Sequence, residues 1–453
     1  MIRTGLLKCV ILLLFLISIS IVHAQQMTRM NLIEQAIAKS YDIRNQQGEE
    51  QKSHLDQIKA KQIYLPNVTI NSSYTMLNDD ITMTIPQLKI PLSLPGLPAG
   101  YTLEPKLDPI KLQNRDIFKT DITAQMILFT GFKAPMLAQA AMHKEKAQEY
   151  MTEPMKSQII LDVISAYDQL ALIDQSVIVL NESFKRLDEE TAVATKAKKV
   201  GLITSYDLTK IDVARQELRS KQVELNSGRK MVAARLQQLT GTSKDVIVTI
   251  HPALAPCLIS PADETIDNRA ELKALNEVQQ ATDFKNKADK GAYLPTVAAF
   301  GKRELIKKDL SALDPLWAVG VGLKWAVFDG FQNYREIQKS KIDQDIARNN
   351  TSKTKDLLEL NLEQAKLNLD QCNELINVSI EKRKYAQQAL DISRKEYQNG
   401  LNTITELLAS ETEYQKISLE YQQAVYNQRM STLQLLAATG NLNLEQISKY
   451  INE

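Results

Sequence analysis

The chain has 453 residues, and its 55 Lys and Arg nearly balance its 54 Asp and Glu. This balance argues against a nucleic-acid-binding protein, and three Cys with four His argue against a disulfide scaffold, a zinc site or a Cys/His catalytic site. Only 15 Gly and 14 Pro are present, so we predict few turns and long secondary-structure elements.

Residues 1–24 have the features of a secretory signal peptide. Arg3 and Lys8 are followed by an apolar run at 10–22, and Val22-His23-Ala24 then offers a cleavage site before Gln25. The run is shorter than the ~20 residues of a membrane helix, and a short N-terminal anchor is the alternative interpretation. We expect the mature chain to work outside the cytoplasm.

The mature chain contains an internal duplication. Three pairs of glycines share one offset of 199 residues: Gly131 and Gly330, Gly201 and Gly400, Gly241 and Gly440. Tyr64-Leu65-Pro66 and Tyr293-Leu294-Pro295 are 229 apart, so the first half carries 30 extra residues upstream of Gly131. A constant offset indicates repeated structural units. The predicted segments are a signal peptide 1–24, a first repeat 25–241, a linker 242–267, a second repeat 268–445 and a tail 446–453.

Each repeat is predicted to contain two long helices. Residues 331–399 and 401–439 hold no Gly or Pro, and the first repeat has matching segments at 132–200 and 202–240. The longer segment, 331–399, would extend about 100 Å as a helix. Heptad-spaced apolar residues predict packing against a neighbouring helix in both repeats: Leu358, Leu362, Ala365, Leu369, Cys372 and Ile376, and Ile159, Val163, Ala166, Leu170, Ile173 and Val177.

Four strands are predicted between the helical segments. Apolar and polar residues alternate over 68–76, 121–128 and 317–327, and a less clear strand follows Pro295. This pattern is typical of transmembrane β-strands, with Trp317 and Trp325 as interfacial residues; a water-soluble sheet is the alternative. Because membrane barrels need about eight strands or more, the strands predict an oligomer. Six prolines at 86–109 predict an outer loop that is neither helix nor regular strand.

The paired helices are joined by short tips. Gly201-Leu202 and Gly400-Leu401 are predicted to end one helix, and Thr204 with Asp207, and Thr403 with Glu406, to open the next as capping boxes. Asp207 and Glu406 are candidates for a second role at a contact surface or gate.

This order of features, present twice, resembles the TolC family of outer-membrane efflux proteins over nearly the whole mature chain. The resemblance implies a mainly α fold with a membrane β-barrel: long α-helical hairpins form a periplasmic α-barrel, and four β-strands per chain join a shared trimeric outer-membrane β-barrel. It implies a passive exit duct in the outer membrane of a Gram-negative bacterium. The implied partners are outer-membrane lipid, a periplasmic adaptor (membrane fusion) protein and an inner-membrane efflux pump or ABC-type secretion transporter.

The resemblance also suggests site residues. In relatives a tyrosine, an arginine and aspartates close the periplasmic end; Tyr397 matches the tyrosine and Glu406 one acidic position, whereas Asn402 replaces the arginine and Ala409 a second aspartate. A ring of Glu406 side chains would attract cations. Adaptor docking is implied at the tips: Gly201, Leu202, Asp207, Gly400 and Leu401. Gly131 and Gly330 are the expected strand-to-helix turns.

Two other function classes are weighed against the duct. A periplasmic coiled-coil scaffold without a pore explains the helices but not the alternating strands. An exported enzyme is disfavoured because His54, His143 and His251 are scattered and no nucleophile, metal or phosphate motif accompanies them. We therefore expect no enzymatic activity, no cofactor and no metal. The identity of the transported substrate is left open by the sequence.

Overall fold

The computed structural model describes residues 28–86, 89–91, 95, 102–103, 105, 108–257, 265–306, 311 and 314–450. The predicted signal peptide, residues 258–264 of the predicted linker and the last three residues of the predicted tail lie outside these ranges.

The helices account for most of the described chain. In chain order they are α1 Arg29–Lys39, α2 Tyr41–Lys61, α3 Lys133–Lys199, α4 Ser205–Thr240, α5 Lys244–Val248, α6 Ala270–Lys290, α7 Gln332–Gln398, α8 Ile404–Ala438 and α9 Leu444–Tyr450. Short 3-10 turns, Gln62–Tyr64 and Gly291–Tyr293, follow α2 and α6.

The predicted long helices are confirmed. Helices α3 and α7 each contain 67 residues, and α4 and α8 contain 36 and 35. Pro135 lies in the first turn of α3, where backbone N–H groups have no partner within the helix, and Pro154 lies in its interior. The rest of α3 and all of α7 lack the residues that would interrupt the backbone hydrogen bonds.

The heptad positions form buried seams. On α3, Leu170 is fully buried and shares one core with Leu32 of α1 and Leu236 of α4. On α7, Leu362 packs in a core with Leu435 of α8. The seam prediction is confirmed, although Ile159, Val177 and Cys372 are only half-buried.

Helix α3 also contains an 18-residue window of mean hydropathy 1.3, and among the described helices it alone is long and apolar enough by composition to cross a membrane. Since 56% of that window is buried inside the structure, we attribute its apolar character to helix packing.

Four strands form one antiparallel sheet in the order β1-β6-β7-β8. Their bounds are β1 Asn67–Met76, β6 Asp116–Phe129, β7 Thr296–Glu304 and β8 Trp317–Lys324. The four predicted strands are therefore confirmed. Between β1 and β6 lie shorter strands: β2 Ile81–Met83, β3 Ile90–Pro91, β4 Thr102–Leu103 and β5 Ile110–Gln113.

The register divides the sheet into an apolar face and a polar face. The apolar face carries Val68, Ile70, Tyr74, Met76, Phe118, Ile122, Ala124, Met126, Val297, Ala299, Trp317, Val319, Val321 and Leu323. The polar face carries Asn67, Thr69, Asn71, Ser73, Thr75, Lys119, Asp121, Thr123, Gln125, Lys302, Glu304 and Lys324. Polar residues on the apolar face are Ser72, Asp116, Thr120 and Arg303, and large apolar residues on the polar face are Ile117, Ile127 and Phe300. The Phe300 ring lies over Gly320, where a Cβ would come within 2.9 Å of it.

Two strand predictions are wrong in detail. β8 ends at Lys324, opposite Thr296, because Pro295 has no N–H with which to extend the pairing. Trp325 consequently lies beyond the strand, where its indole N–H donates to the Tyr293 carbonyl at 3.1 Å. In the proline-rich segment, Pro91 does take part in a two-residue strand paired with Thr102–Leu103.

The described chain divides into two compact units. One contains residues up to 51, 146–277 and 348 onward; the other contains 52–145 and 278–347. Each unit draws residues from both predicted repeats. Both halves run from helix through a 3-10 turn and strands to a long helix and a shorter one, but the first half has an additional N-terminal helix and the short strands β2–β5. The repeat boundaries at 25–241, 242–267 and 268–445 stay a prediction.

Matching turns connect β6 to α3 and precede α7. Gly131 and Phe132 have φ of 65° and 64°, and Gly330 and Phe331 have 69° and 67°. Two consecutive left-handed residues are unfavourable for a side chain such as Phe. Each of these Phe rings packs edge-on against the Phe three residues earlier, at 5.3 and 5.5 Å between ring centres.

Within the chain only the first turn is sterically closed. A Cβ on Gly131 would lie 2.4 Å from the Gly291 carbonyl oxygen, whereas a Cβ on Gly330 would meet no described atom within 4 Å. We therefore predict that Gly131→Ala destabilises the protein by clearly more than the about 1–2 kcal/mol expected from the left-handed backbone alone, and that Gly330→Ala costs about that amount.

Thermal unfolding of the two purified variants in detergent checks this prediction. Equal losses of thermal stability would contradict it.

Candidate functional site: the helical hairpin tips

Helices α3 and α7 end in the same hydrogen-bonded motif. At the first tip the Leu202 and Gly201 amides donate to the Ala197 and Lys198 carbonyls at 2.9 and 3.0 Å, and Gly201 has φ of 78°. At the second tip Leu401 and Gly400 repeat these bonds at 2.9 and 3.0 Å, with φ of 74° at Gly400. This is the Schellman ending, in which a left-handed glycine satisfies the last helical carbonyls.

Helices α4 and α8 begin with reciprocal capping boxes. The Thr204 amide donates to the Asp207 carboxylate at 3.0 Å, and the Asp207 amide donates to the Thr204 hydroxyl at 3.3 Å. Thr403 and Glu406 form the same two bonds at 3.0 and 3.3 Å. The backbone and hydroxyl donors of each threonine lower the pKa of the carboxyl that they bind.

The tips expose apolar side chains. Leu202 and Leu401 are 78% and 79% exposed, and Val200 and Tyr206 of the first tip are also exposed. In the Schellman motif the residue after the glycine commonly packs against the helix end. These two leucines point into solvent instead, which leaves a pair of matching apolar points for a partner.

The other predicted gate residues face the hairpins themselves. The side-chain nitrogen of Asn402 donates to the Ser393 hydroxyl at 2.9 Å, and its side-chain oxygen accepts a hydrogen bond from the Thr403 backbone amide at 2.8 Å. The Tyr397 hydroxyl is buried without a hydrogen-bond partner among the described residues. Burial, followed by the nearby charges of Asp207 and Glu190, raises the Tyr397 pKa.

One contact joins the two tips directly. Lys210 of α4 donates to the Thr405 hydroxyl of α8 at 2.7 Å, and its ammonium lies 4.5 Å from the centre of the Tyr206 ring. Both partners are exposed, so this contact adds little stability.

Behind the tips lies a charged layer that the sequence analysis missed. Arg186 of α3 donates to Glu411 of α8 at 2.7 Å, and Arg394 of α7 donates to Glu190 of α3 at 3.4 Å. The two carboxylates are each 5% exposed. The only sequence signal was that Arg186 and Glu190, one helical turn apart, fall on the packed side of α3 beside buried Leu187.

Glu190 has an unusual pKa. Desolvation and then the Glu411 charge raise its pKa, Arg394 and Arg186 act in the opposite direction, and the net pKa is about 7. This carboxyl therefore takes up a proton near neutral pH, whereas the tip carboxyls stay ionised well below it.

The histidines are engaged separately. His54 lies 2.7 Å from Glu145, His251 lies 2.8 Å from Asp174, and His143 stacks on Phe284. In the ranges that the structure describes, no three His, Cys, Asp or Glu side chains are grouped as metal ligands.

Comparison with known proteins places this geometry in context. Residues 262–441 match the family of outer membrane efflux proteins. The matched part contains α6, α7, α8 and the second tip. No curated protein sequence matches the chain significantly.

Solved channel structures share the fold. The outer membrane protein VceC of Vibrio cholerae is 16% identical, with 90% of this chain and 95% of that one covered and a TM-score of 0.72. The CmeC outer membrane channel of Campylobacter jejuni is 14% identical, with 93% and 88% covered and a TM-score of 0.71. The open MtrE outer membrane channel of Neisseria gonorrhoeae is 14% identical, with 92% and 89% covered and a TM-score of 0.71.

The second half of the chain thus resembles outer membrane efflux proteins in sequence, and the chain shares the fold of solved outer membrane channels. The predicted resemblance is thereby confirmed. The residues that match the family include Tyr397, Asn402 and Glu406 of the second tip, whereas the first tip, at Gly201, lies outside the match. Roles for individual tip residues therefore rest on the geometry described above.

The capping box predicts how the second tip frays. Thr403→Ala removes the hydroxyl that accepts the Glu406 amide, at a cost of about 1 kcal/mol. We expect amide hydrogen exchange in the first turn of α8 to become about fivefold faster. Hydrogen-exchange mass spectrometry at neutral pH measures this, with Thr412→Ala on the exposed side of α8 as the control that leaves the first turn unchanged. Unaltered exchange in Thr403→Ala would show that the cap does not hold this end.

Proposed function

We propose that this protein is the outer-membrane exit duct of a tripartite efflux or secretion system. The observation that carries the proposal is the four-stranded sheet with one apolar and one polar face, linked through Gly131 to a helix of 67 residues. Such a sheet suits a barrel wall with lipid on one side and water on the other. A coiled-coil scaffold without a pore does not require a sheet with one apolar and one polar face.

The sheet edges support a shared barrel. β1 and β8 each have one neighbour in the order β1-β6-β7-β8, so each leaves one edge without strand partners within this sheet. Because successive strands alternate in direction, β8 of one copy can pair antiparallel with β1 of the next. Three copies would contribute twelve strands, above the minimum of about eight for a membrane barrel. The strand count excludes a single copy, and the resemblance to the TolC family selects three, so we infer a homotrimer.

The polar face would line the lumen. Lys302 lies 2.8 Å from Glu304 and 3.5 Å from Asp121, and Asn71 donates to Asp121 at 3.2 Å. Charges of both signs are paired across neighbouring strands. A lumen of this kind is hydrophilic without a strong preference for one sign of charge, which suits a passive exit for varied substrates.

The two faces make a matched prediction. Val319→Lys places a charge on the apolar face and is expected to weaken membrane insertion by about 2–4 kcal/mol if this position lies near the bilayer centre. Ala318→Lys, one residue away on the polar face, is expected to insert like wild type. Outer-membrane fractionation and the fraction of heat-modifiable oligomer on gels measure the difference. Equal insertion of both variants would argue against a lipid-facing sheet.

The second tip is our candidate for the gate. We assign Tyr397, Asn402 and Glu406 to the constriction at the inner end of the duct. Glu406 stays ionised at neutral pH because Thr403 lowers its carboxyl pKa, so three copies would present three negative charges. Asn402 bonds to Ser393 of its own hairpin and does not supply the positive charge that an arginine would bring.

The tips are also our candidate docking points. Gly201 and Gly400 turn the chain so that Leu202 and Leu401 are exposed, and Asp207 holds the start of α4 beside the first of these leucines. We propose that a periplasmic adaptor protein packs on these leucines and couples the duct to an inner-membrane efflux pump or ABC-type transporter. Exposed leucines at both tips fit an apolar contact repeated around the trimer.

Conductance tests the proposed duct. The purified oligomer in a planar lipid bilayer should conduct ions, and blockade by multivalent cations should weaken in Glu406→Gln, because glutamine preserves the capping geometry and removes the charge. Glu413→Gln, an exposed change of equal charge farther along α8, is the control.

Absence of conductance would contradict the duct. Conductance with unaltered cation blockade in Glu406→Gln would contradict the charged ring alone.

A further inference from the structure

Two crossed ion pairs connect the hairpins behind their tips. The first hairpin, α3 with α4, contributes Arg186 and Glu190; the second, α7 with α8, contributes Arg394 and Glu411. Each hairpin thus offers one cation and one anion to the other, at 2.7 Å for Arg186 with Glu411 and 3.4 Å for Arg394 with Glu190. Separating the hairpins would break both pairs.

Not every polar atom of the two ion pairs has a hydrogen-bond partner. Within the described structure Glu190 Oε2, Glu411 Oε2 and Arg394 Nε are buried with no hydrogen-bond partner. Arg186 is further engaged, by the Ser183 hydroxyl at 2.8 Å and the Tyr414 ring at 5.1 Å. Glu190 therefore has the poorest partners of the four, and a buried ionised carboxylate with one long contact is unfavourable.

The surroundings of Glu190 favour a neutral carboxyl. A cavity of about 40 Å³ beside it, lined also by Arg394, Tyr397 and Leu407, has room for one or two water molecules and not for a larger counter-ion. Glu411 of α8 opposes a second negative charge, and the cavity is also lined by the titratable side chains of Glu189 of α3 and Tyr397 of α7. Arg394 is 25% exposed, so water can reach it when Glu190 is neutral.

We propose that Glu190 is the proton-binding residue of a latch between the two hairpins, which pack together when it is protonated and part when it is ionised. The latch rests on the proposed function, where it sets the pH response of the periplasmic entrance. Parting the hairpins also breaks the pair of Arg186 with Glu411, and Glu190 gains water as they separate.

The direction of the response follows from proton linkage. In the packed state the Glu190 pKa is about 7, above its ordinary value of 4.5, so the packed state binds the proton more tightly than a solvated one. Its stabilisation is complete below the ordinary pKa and is lost as pH rises through about 7. Lowering the pH from 8 to 6 should then favour the packed state about tenfold in each protomer.

Spin-label distances between the tips test the latch. Val200→Cys and Asn399→Cys, both exposed, are labelled in a Cys257→Ser, Cys372→Ser chain and diluted with unlabelled chain so that distances within one protomer are measured. Between pH 8 and pH 6 the short-distance population should gain about tenfold over the long one. Glu190→Gln, which resembles the protonated residue, should keep the short distance at both pH values. Glu374→Gln, an exposed change of equal charge elsewhere on α7, should respond like wild type.

Several outcomes would overturn the latch. These are a distance distribution that does not change between pH 6 and 8, or a pH response that persists in Glu190→Gln. If Glu190→Gln does not assemble, Glu411→Gln tests the same idea, because removing the opposing charge should move the midpoint to lower pH; an unmoved midpoint would refute it.

The latch and the duct fail separately. The labels report distances within one protomer, so they decide the latch even if no preparation conducts in a bilayer. Conduction with pH-independent distances would leave the duct intact and remove the latch.

Discussion

A backbone inside a lipid bilayer has no water to bond to, so each of its N–H and C=O groups must find a partner within the protein. In the sheet β1-β6-β7-β8 the inner strands bond to a neighbour on each side, whereas β1 and β8 each have one edge whose backbone groups face no other strand of the sheet. The apolar face alone would bring the sheet into lipid, but the open edges would keep it out. Everything that we propose about the assembly depends on neighbouring copies closing those edges.

The helical part depends on a different use of polar groups. Its cores contain few aromatic rings, and charged side chains are placed between helices. Asp168 is fully buried and accepts Arg29 at 3.0 Å and Arg429 at 2.7 Å, so both of its oxygens are bonded. Glu190 is nearly as buried but has one cation, at 3.4 Å. Both are buried contacts between a carboxylate and arginine. The one at Asp168 is fully bonded, whereas the one at Glu190, near the tips, can take up a proton.

Sequence reasoning reached the elements and not the interior charges. The absence of Gly and Pro from 331–399 predicted α7 closely, and the capping boxes at Thr204 and Thr403 were found because their signals lie within a few residues. The end of β8 was missed because it is decided by Pro295 on the opposite strand. The Glu190 layer was missed because its four members come from three helices, and heptad spacing describes one helix at a time. The tip roles of Tyr397 and Glu406 remain proposals that local geometry supports.

The contact between Gly131 and Gly291 limits which residues one of the two matching turns can accept. Added Cβ atoms would lie 2.4 Å from the Gly291 carbonyl oxygen in one direction and 2.3 Å from the Gly131 carbonyl oxygen in the other, so neither residue accepts a side chain while the other backbone stays in place. Gly330, the counterpart of Gly131 in the second half, has no such neighbour among the described residues. The two matching turns therefore differ in how much room they leave for a side chain, and we expect larger residues to be tolerated more readily at the second junction than at the first.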